Sequence, residues 1–326
     1  MNKLDKTKSY KIQVLRGIAI IAVVCIHNIP NTENGQILCR PFVNFAVGLF
    51  LALSGFLSDM NNWKPAKRIK KVLPPYVLWT LVYVFLNCKS NLFDVPGQYL
   101  ISLVNGKAAP MMYYIFVYIE FTLLIPCIDK LAKSRYRYLG FLITPLEIIL
   151  MRLLPMFMGV QFSKLIMNIV NLSFLGWFSY FYLGYLAGNS YISTRVRWGK
   201  LIVALIVGIC WQVVEGYIYF INGSDVCGTQ LKLSAIFSGI IVVCLSFNYV
   251  ITFSNTKLWE RVLYRIGDNS FGIYFSHIAV MTILGVIPGY LKIVYPFNVV
   301  IIVLVTYMCV CIGKKILGKY SWLLAL

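Results

Sequence analysis

The sequence predicts an all-α integral membrane protein of about ten transmembrane helices, with both termini in the cytoplasm. Of its 326 residues, 60% are hydrophobic and 13% are charged, and the mean hydropathy is +0.77. An ordinary globular chain is about 45–50% apolar and about 25% charged, so this composition excludes a soluble two-domain protein. The apolar residues also recur in runs near the ~20 residues that a helix needs to cross a hydrocarbon core.

Ten apolar runs define the predicted spans: 12–30, 41–59, 72–88, 111–129, 138–158, 166–188, 201–221, 231–251, 268–288 and 293–313. Because these runs leave no room for a soluble domain, residues 1–326 are predicted to form a single transmembrane domain. The first run begins like a signal peptide. Arg16, His27 and Asn28 interrupt it, however, and no small-residue cleavage site follows, so a retained first helix is expected.

The basic residues that give the net charge of +19 are unevenly distributed along the chain. Most of the 30 Lys and Arg residues fall in alternate connections, including the basic segment 60–71, and this pattern marks cytoplasmic loops. The charge is therefore assigned to topology and not to nucleic-acid binding. The longest outer loop, 89–110, is expected to cover an outward-facing site. The outer connections hold only Arg40, Lys89, Lys107, Lys164, Lys232 and Lys292.

Few ionisable residues lie inside the spans, where a charged side chain costs about 2.5–3.5 kcal/mol and indicates function. In the first span, the separation of Arg16 and His27 brings them to within about 20° of the same direction and roughly 16 Å apart. One helix face thus carries a cation and an imidazole. A histidine can accept a proton from a hydroxyl or hold an acyl group. The alternative is that Arg16 reaches the inner head groups and His27 makes one interhelical hydrogen bond.

Two further sets of residues are candidates for the site. Arg68 and Lys71 are three residues apart on the basic segment and are suited to holding the phosphates of a nucleotide-bearing donor, although topology alone also explains them. Three glutamates inside the spans are candidates to orient His27, to carry protons, or to join helices as protonated carboxyls: Glu120, Glu147 and Glu215. The spacing of His and Cys residues does not fit a metal site, and no metal is expected.

Four segments, in order along the chain, resemble motifs of the membrane acyltransferase-3 family, bacterial integral membrane carbohydrate O-acyltransferases. The first runs from a basic residue through ten intervening residues to a histidine, and the second ends in Ser-Gly-Phe. The third is a basic motif followed by proline and tyrosine, and the fourth reads Ser-Phe-Gly-Ile-Tyr-Phe-Ser-His. The ordered set is much more specific than any one piece. The segments are 15–27, 47–57, 67–76 and 270–277.

The resemblance implies that Arg16 and His27 are the essential pair and that the donor is cytoplasmic acetyl-CoA. It further implies that Arg68 and Lys71 contact the CoA phosphates. The expected substrate channel includes Glu120, His277 and Ser276. Lys71 stands where the family usually has arginine, which turns a bidentate phosphate contact into a point-charge contact. Residues 111–116 also lack the His-Leu-Trp-type start that is common in the family.

The expected function is O-acetylation of an extracytoplasmic or lipid-linked carbohydrate by an acyltransferase of the bacterial inner membrane. Its expected partners are membrane lipid, the carbohydrate acceptor, acetyl-CoA and glycan-assembly proteins. His27 is expected to act as a general base or as an acyl relay. Two alternatives stay open: a transporter or flippase for a small solute or lipid-linked sugar, and a scaffold subunit of a glycan-assembly complex.

Overall fold

The computed structural model describes residues 3–88, 92–224, 226–248, 250–290 and 293–326. Two of the predicted outer-loop residues, Lys89 and Lys292, lie outside these ranges. The α-helices of the described residues are α1 (Lys3–Asn28), α2 (Ala46–Phe56), α3 (Pro65–Asn87), α4 (Val95–Asn105), α5 (Tyr113–Lys133), α6 (Ile143–Ile148), α7 (Leu154–Met158), α8 (Lys164–Leu172), α9 (Phe178–Gly188), α10 (Trp198–Ile221), α11 (Leu233–Phe247), α12 (Leu258–Asp268), α13 (Ser270–Leu284) and α14 (Phe297–Leu317).

The helical architecture confirms the predicted all-α membrane class. Within the described ranges, six helical stretches are long and apolar enough to cross a membrane, and a seventh is formed if the pair α8 and α9, bent by 43°, counts as one span. Helices α11 and α13 are apolar but shorter. The count of ten spans and the cytoplasmic position of both termini stay predictions. The six stretches are Ser9–Asn28, Gly35–Phe56, Pro65–Asn87, Arg137–Met158, Trp198–Ile221 and Phe297–Leu324.

Helix α1 is held against α12 by a close approach of their backbones. A Cβ atom placed on Gly17 would collide with the carbonyl oxygen of Leu263, and one on Gly267 would collide with that of Gln13. Small residues allow helices in membranes to pack this closely. The glycine after Arg16 therefore fixes the position of the helix that carries Arg16 and His27.

Helices α2 and α9 pack in the same way in the centre of the bundle. A Cβ atom on Gly55 would overlap the carbonyl oxygen of Phe181, and one on Gly184 would overlap that of Ala52. Around this contact α9 is almost entirely buried. The glycine of the Ser-Gly-Phe motif thus has a packing role, and the end of α2 that follows it is fixed relative to the core.

Candidate active site

A cavity of about 660 Å³ lies between α1, α2, α3, α5 and α13, and the basic residues predicted for the donor site line it. It contains Arg16 from α1 together with Arg68 and Lys71 from the start of α3. We call it the basic cavity. The structure therefore brings Arg16 of α1 and the predicted pair Arg68 and Lys71 of α3 to one cavity.

The guanidinium of Arg68 is positioned by the end of α2. Its Nη1 donates a hydrogen bond of 2.7 Å to Oγ of Ser58, and its Nη2 lies 3.4 Å from the carbonyl oxygen of Leu57. The Ser58 hydroxyl donates in turn to the carbonyl oxygen of Ser54 at 2.8 Å. Arg68 thus satisfies a helix C-terminus while it lines the basic cavity.

Arg16 and Lys71 are less constrained than Arg68. Arg16 is half-buried, and within the described part of the chain its side chain has no hydrogen bond or salt bridge. Lys71 is exposed and has no ion-pair partner among those residues. Among the described residues these two cations have no protein counter-charge, and they lie beside the half-buried guanidinium of Arg68, an arrangement with the chemistry that phosphate groups favour.

His27 lies beside His277, and the centroids of the two rings are 5.3 Å apart with an interplanar angle of 45°. Nδ1 of the fully buried His277 contacts two acceptors, the carbonyl oxygens of Ile273 at 3.0 Å and Tyr274 at 2.8 Å. Because a carbonyl only accepts, Nδ1 carries the hydrogen and Nε2 carries the lone pair. Nε2 is buried and has no partner among the described residues.

The histidine pair lies in the wall between two cavities and lines neither. Val23, one helical turn before His27, lines the basic cavity. On α13, Tyr274 lines the basic cavity, whereas Ile278, the residue after His277, lines a second cavity. The two cavities share no lining residue within the described chain, so a group that passes between them has to pass this wall.

The second cavity has a volume of about 560 Å³ and lies at the opposite end of the helices. We call it the amide cavity because five carboxamide side chains line it: Asn87, Asn105, Asn168, Asn171 and Gln230. Its aromatic wall contains Tyr113 and Trp177, which stack with centroids 5.9 Å apart and an interplanar angle of 21°. Part of the long loop 89–110 lines it, through residues 105–110.

The structure does not bring the three glutamates to His27. Oε2 of Glu120 accepts a hydrogen bond of 2.6 Å from the amide of Phe174. Glu147 pairs with Arg152 at 3.4 Å. The carboxylate of Glu215 accepts from the amides of Leu233 at 3.2 Å and Ser234 at 2.8 Å. Each carboxylate therefore has a backbone amide or a cation other than His27 as its partner.

Ser276 and Glu120, expected in the substrate channel together with His277, line neither cavity. The hydroxyl of Ser276 donates to the carbonyl oxygen of Gly272 at 2.7 Å, which is the back-bonding usual for serine inside a helix. Of the three residues expected in that channel, the structure places only His277 beside His27.

Sequence reasoning missed two residues at the site, Tyr83 and Arg40. The Tyr83 hydroxyl donates to the carbonyl oxygen of Phe275 at 2.5 Å and accepts from the amide of Ala279 at 3.2 Å, so it holds α13 on both sides of His277. Tyr83 is one of 22 tyrosines, and nothing in its local sequence distinguishes it. Arg40 lines the amide cavity but is counted in the sequence only as a loop cation.

These features define a multi-pass membrane protein with polar cavities at both ends and a histidine pair between them. Over residues 9–315 the chain matches the model of the acyltransferase-3 family, described as an acyltransferase domain, and it belongs to this family. The family that the four motifs indicated is thereby confirmed. No curated protein and no solved structure matches the chain.

Proposed function

We propose that this membrane acyltransferase moves an acetyl group from cytoplasmic acetyl-CoA to a hydroxyl of an extracytoplasmic or lipid-linked carbohydrate. The observation that carries the proposal is the arrangement of the site: a cavity lined by three basic side chains at one end, a cavity lined by amides and aromatic rings at the other, and His27 in the wall between them.

The basic cavity supports acetyl-CoA as the donor. Coenzyme A carries several phosphate charges and a long, flexible thiol arm. In the proposed complex Arg68 and Lys71 hold the phosphates at the N-terminal end of α3. The thiol arm of the donor runs from there past Arg16 toward Val23 and the two histidines. Charge-assisted hydrogen bonds to phosphate are stronger than neutral hydrogen bonds, so the phosphates anchor the donor in the basic cavity. The thioester at the other end of the donor then reaches the wall that contains His27.

Transfer through the wall proceeds in two balanced steps on His27. A ring nitrogen attacks the thioester carbon, the C–S bond breaks, and the thiolate of CoA leaves and takes up the proton that the imidazole loses. The acceptor hydroxyl oxygen then attacks the acetyl carbon, the C–N bond breaks, and the hydroxyl proton returns to the ring. In the proposed complex the unpaired Nε2 of His277 accepts the N–H of the free His27 ring before the first step and again after the proton has returned, because the acetylated ring has no N–H.

General-base catalysis is the alternative to this relay. In that mechanism His27 removes the proton while the hydroxyl attacks the thioester directly. Direct attack needs donor and acceptor to meet in one space, and the described cavities are separate. The relay needs each substrate to reach one imidazole in the wall from its own side and does not need the two substrates to meet, and the separation of the cavities supports it.

The decisive experiment measures the O-acetyl content of surface polysaccharide by proton NMR, before and after mild base, in cells with the native chain or with His27→Ala. Loss of the acetyl signal at unchanged polymer yield supports the proposal. Native-level acetylation with reduced glycan amount or solute export would instead show that the chain is a transporter. A second experiment measures the consumption of labelled acetyl-CoA by the purified protein. An enzyme consumes the donor, whereas a transporter does not.

A further inference from the structure

Arg40 presents an uncompensated cation to the amide cavity. It lies in a short helical turn, Arg40–Phe42, directly before α2. Its Nη1 donates to Oε1 of Gln36 at 3.2 Å, while its Nε is buried without a partner. A guanidinium has five donors in a fixed fork, and most of those of Arg40 are therefore available to a ligand.

The charged residues that line the amide cavity are all cations. The residues that line the amide cavity include Lys107 as a second cation and contain no Asp or Glu. Within the described chain the salt bridges join Lys133 to Asp129 and Arg152 to Glu147, and neither involves Arg40. A partly buried cation without a counter-charge is costly, and a ligand anion is what removes that cost.

Two other residues of the same cavity also have buried polar atoms without partners. They are Nε1 of Trp177, a donor on a side chain that is 2% exposed, and Oε1 of Gln230, an acceptor. Buried polar groups are normally hydrogen-bonded. In the basic cavity no lining residue has such an atom. Of the two cavities, only the amide cavity therefore has lining residues with such atoms, which are two donors for an anion and one acceptor for a hydroxyl.

We infer that the amide cavity binds a glycan unit that carries an anionic group, either a carboxylate or a phosphate. Arg40 holds the anionic oxygens in a bidentate contact, and the ligand's hydroxyls reach Gln230 and Trp177. The sugar ring lies against the stacked pair of Tyr113 and Trp177. The inference rests on the proposed function, since this glycan is its acceptor, and it narrows that acceptor to an acidic one.

The test measures binding without any acetyl donor, in full-length protein held in nanodiscs of zwitterionic lipid. Four probes are compared by calorimetry: a trimer of a hexuronic acid, the methyl ester of the same trimer, the neutral hexose trimer and a hexose 1-phosphate. We expect the acid or the phosphate to bind at least about tenfold more tightly than the ester and the neutral trimer, which is the effect of about 1.4 kcal/mol. The tighter-binding anion shows whether the charge of the glycan ligand comes from a carboxylate or from a phosphate.

Variants locate the effect at Arg40. Arg40→Gln should abolish the preference for the anion, and Arg40→Lys should keep part of it as a point charge. Lys164→Gln is the matched control, because Lys164 is an exposed cation predicted for the same side that does not line the cavity, and it should keep the full preference.

Equal binding of the acid and its ester by the native protein overturns the inference, as does a preference that survives Arg40→Gln. Failure of all four probes to bind at millimolar concentration also counts against it. The native comparison needs no variant, so it stands even if Arg40→Gln does not fold. Hydrolysis of labelled acetyl-CoA on the same samples tests the proposed function separately, because it depends on the basic cavity and His27.

Discussion

The ring of His277 faces that of His27 at a centroid distance of 5.3 Å, with its Nδ1 bound to two backbone carbonyls and its Nε2 without a partner. The backbone of α13 therefore fixes the tautomer of His277, and the histidine presents a lone pair in the wall beside His27. In many enzymes a carboxylate orients a catalytic histidine; here the described neighbour is a second imidazole.

His27→Ala is expected to lower the rate of acetyl transfer by about 10²–10⁴, the usual contribution of a positioned acid–base or nucleophilic group. The affinity for acetyl-CoA should not change, because the cations that hold the donor lie in the basic cavity. Both quantities are measured on the same purified sample, with labelled donor. Transfer near the native rate would remove His27 from the reaction.

His277 is a positioning residue in this scheme, and its substitution should split the kinetic constants. His277→Ala is expected to lower kcat by up to about tenfold, since one hydrogen bond is worth about 0.5–1.5 kcal/mol, at an unchanged KM for acetyl-CoA. His277→Gln places an acceptor near the lost Nε2 and should restore most of kcat. A purely structural role predicts equal losses for both variants together with a lower thermal unfolding temperature.

Lys71→Gln is expected to raise the KM for acetyl-CoA by about three- to tenfold and to leave kcat unchanged, because an exposed cation contributes a screened contact. The difference from the native protein should shrink at high salt. Lys70→Gln is the control: Lys70 is exposed on the same helix but does not line the basic cavity. Equal effects of the two variants on KM would show that the overall positive charge of the helix, and not a contact of Lys71, attracts the donor. Arg68 is a less clean probe because it also holds the end of α2.

Hydropathy and charge alone predict the membrane class and the face that carries Arg16 and His27, because both depend on local sequence. The shared lining of the basic cavity by Arg16, Arg68 and Lys71 is consistent with the family motifs. These parts of the site are predictable since each residue type is unusual where it stands.

The partners of the glutamates were not predictable from the sequence. Glu120 is bound to the amide of Phe174 and Glu215 to the amides of the first two residues of α11, and such contacts depend on how distant helices pack. Arg40 was missed for another reason: the topological interpretation already explained a loop cation. Only the cavity shows that its guanidinium faces a polar space without a counter-charge.

Gly55→Ala tests whether the glycine of the Ser-Gly-Phe motif acts through packing. The new methyl group meets the backbone of α9, and we expect a destabilisation of about 1–3 kcal/mol, as for other overpacked sites. Thermal unfolding in detergent measures it. Gly199→Ala in α10 is the control, since a Cβ atom there has no neighbour within 4 Å and alanine favours a helix. Equal unfolding temperatures for the two variants would contradict the packing role.

The relay predicts a partial reaction that direct transfer does not allow. With labelled CoA and unlabelled acetyl-CoA but without any acceptor, the acetyl group should move to His27 and back, so label should appear in acetyl-CoA. His27→Ala should abolish this exchange, whereas Lys164→Gln, which changes an exposed cation that lines neither cavity, should preserve it. A direct mechanism needs the acceptor hydroxyl before the C–S bond breaks and gives no exchange. Exchange that requires added glycan would therefore leave His27 as a general base, with donor and acceptor meeting in a wall that opens.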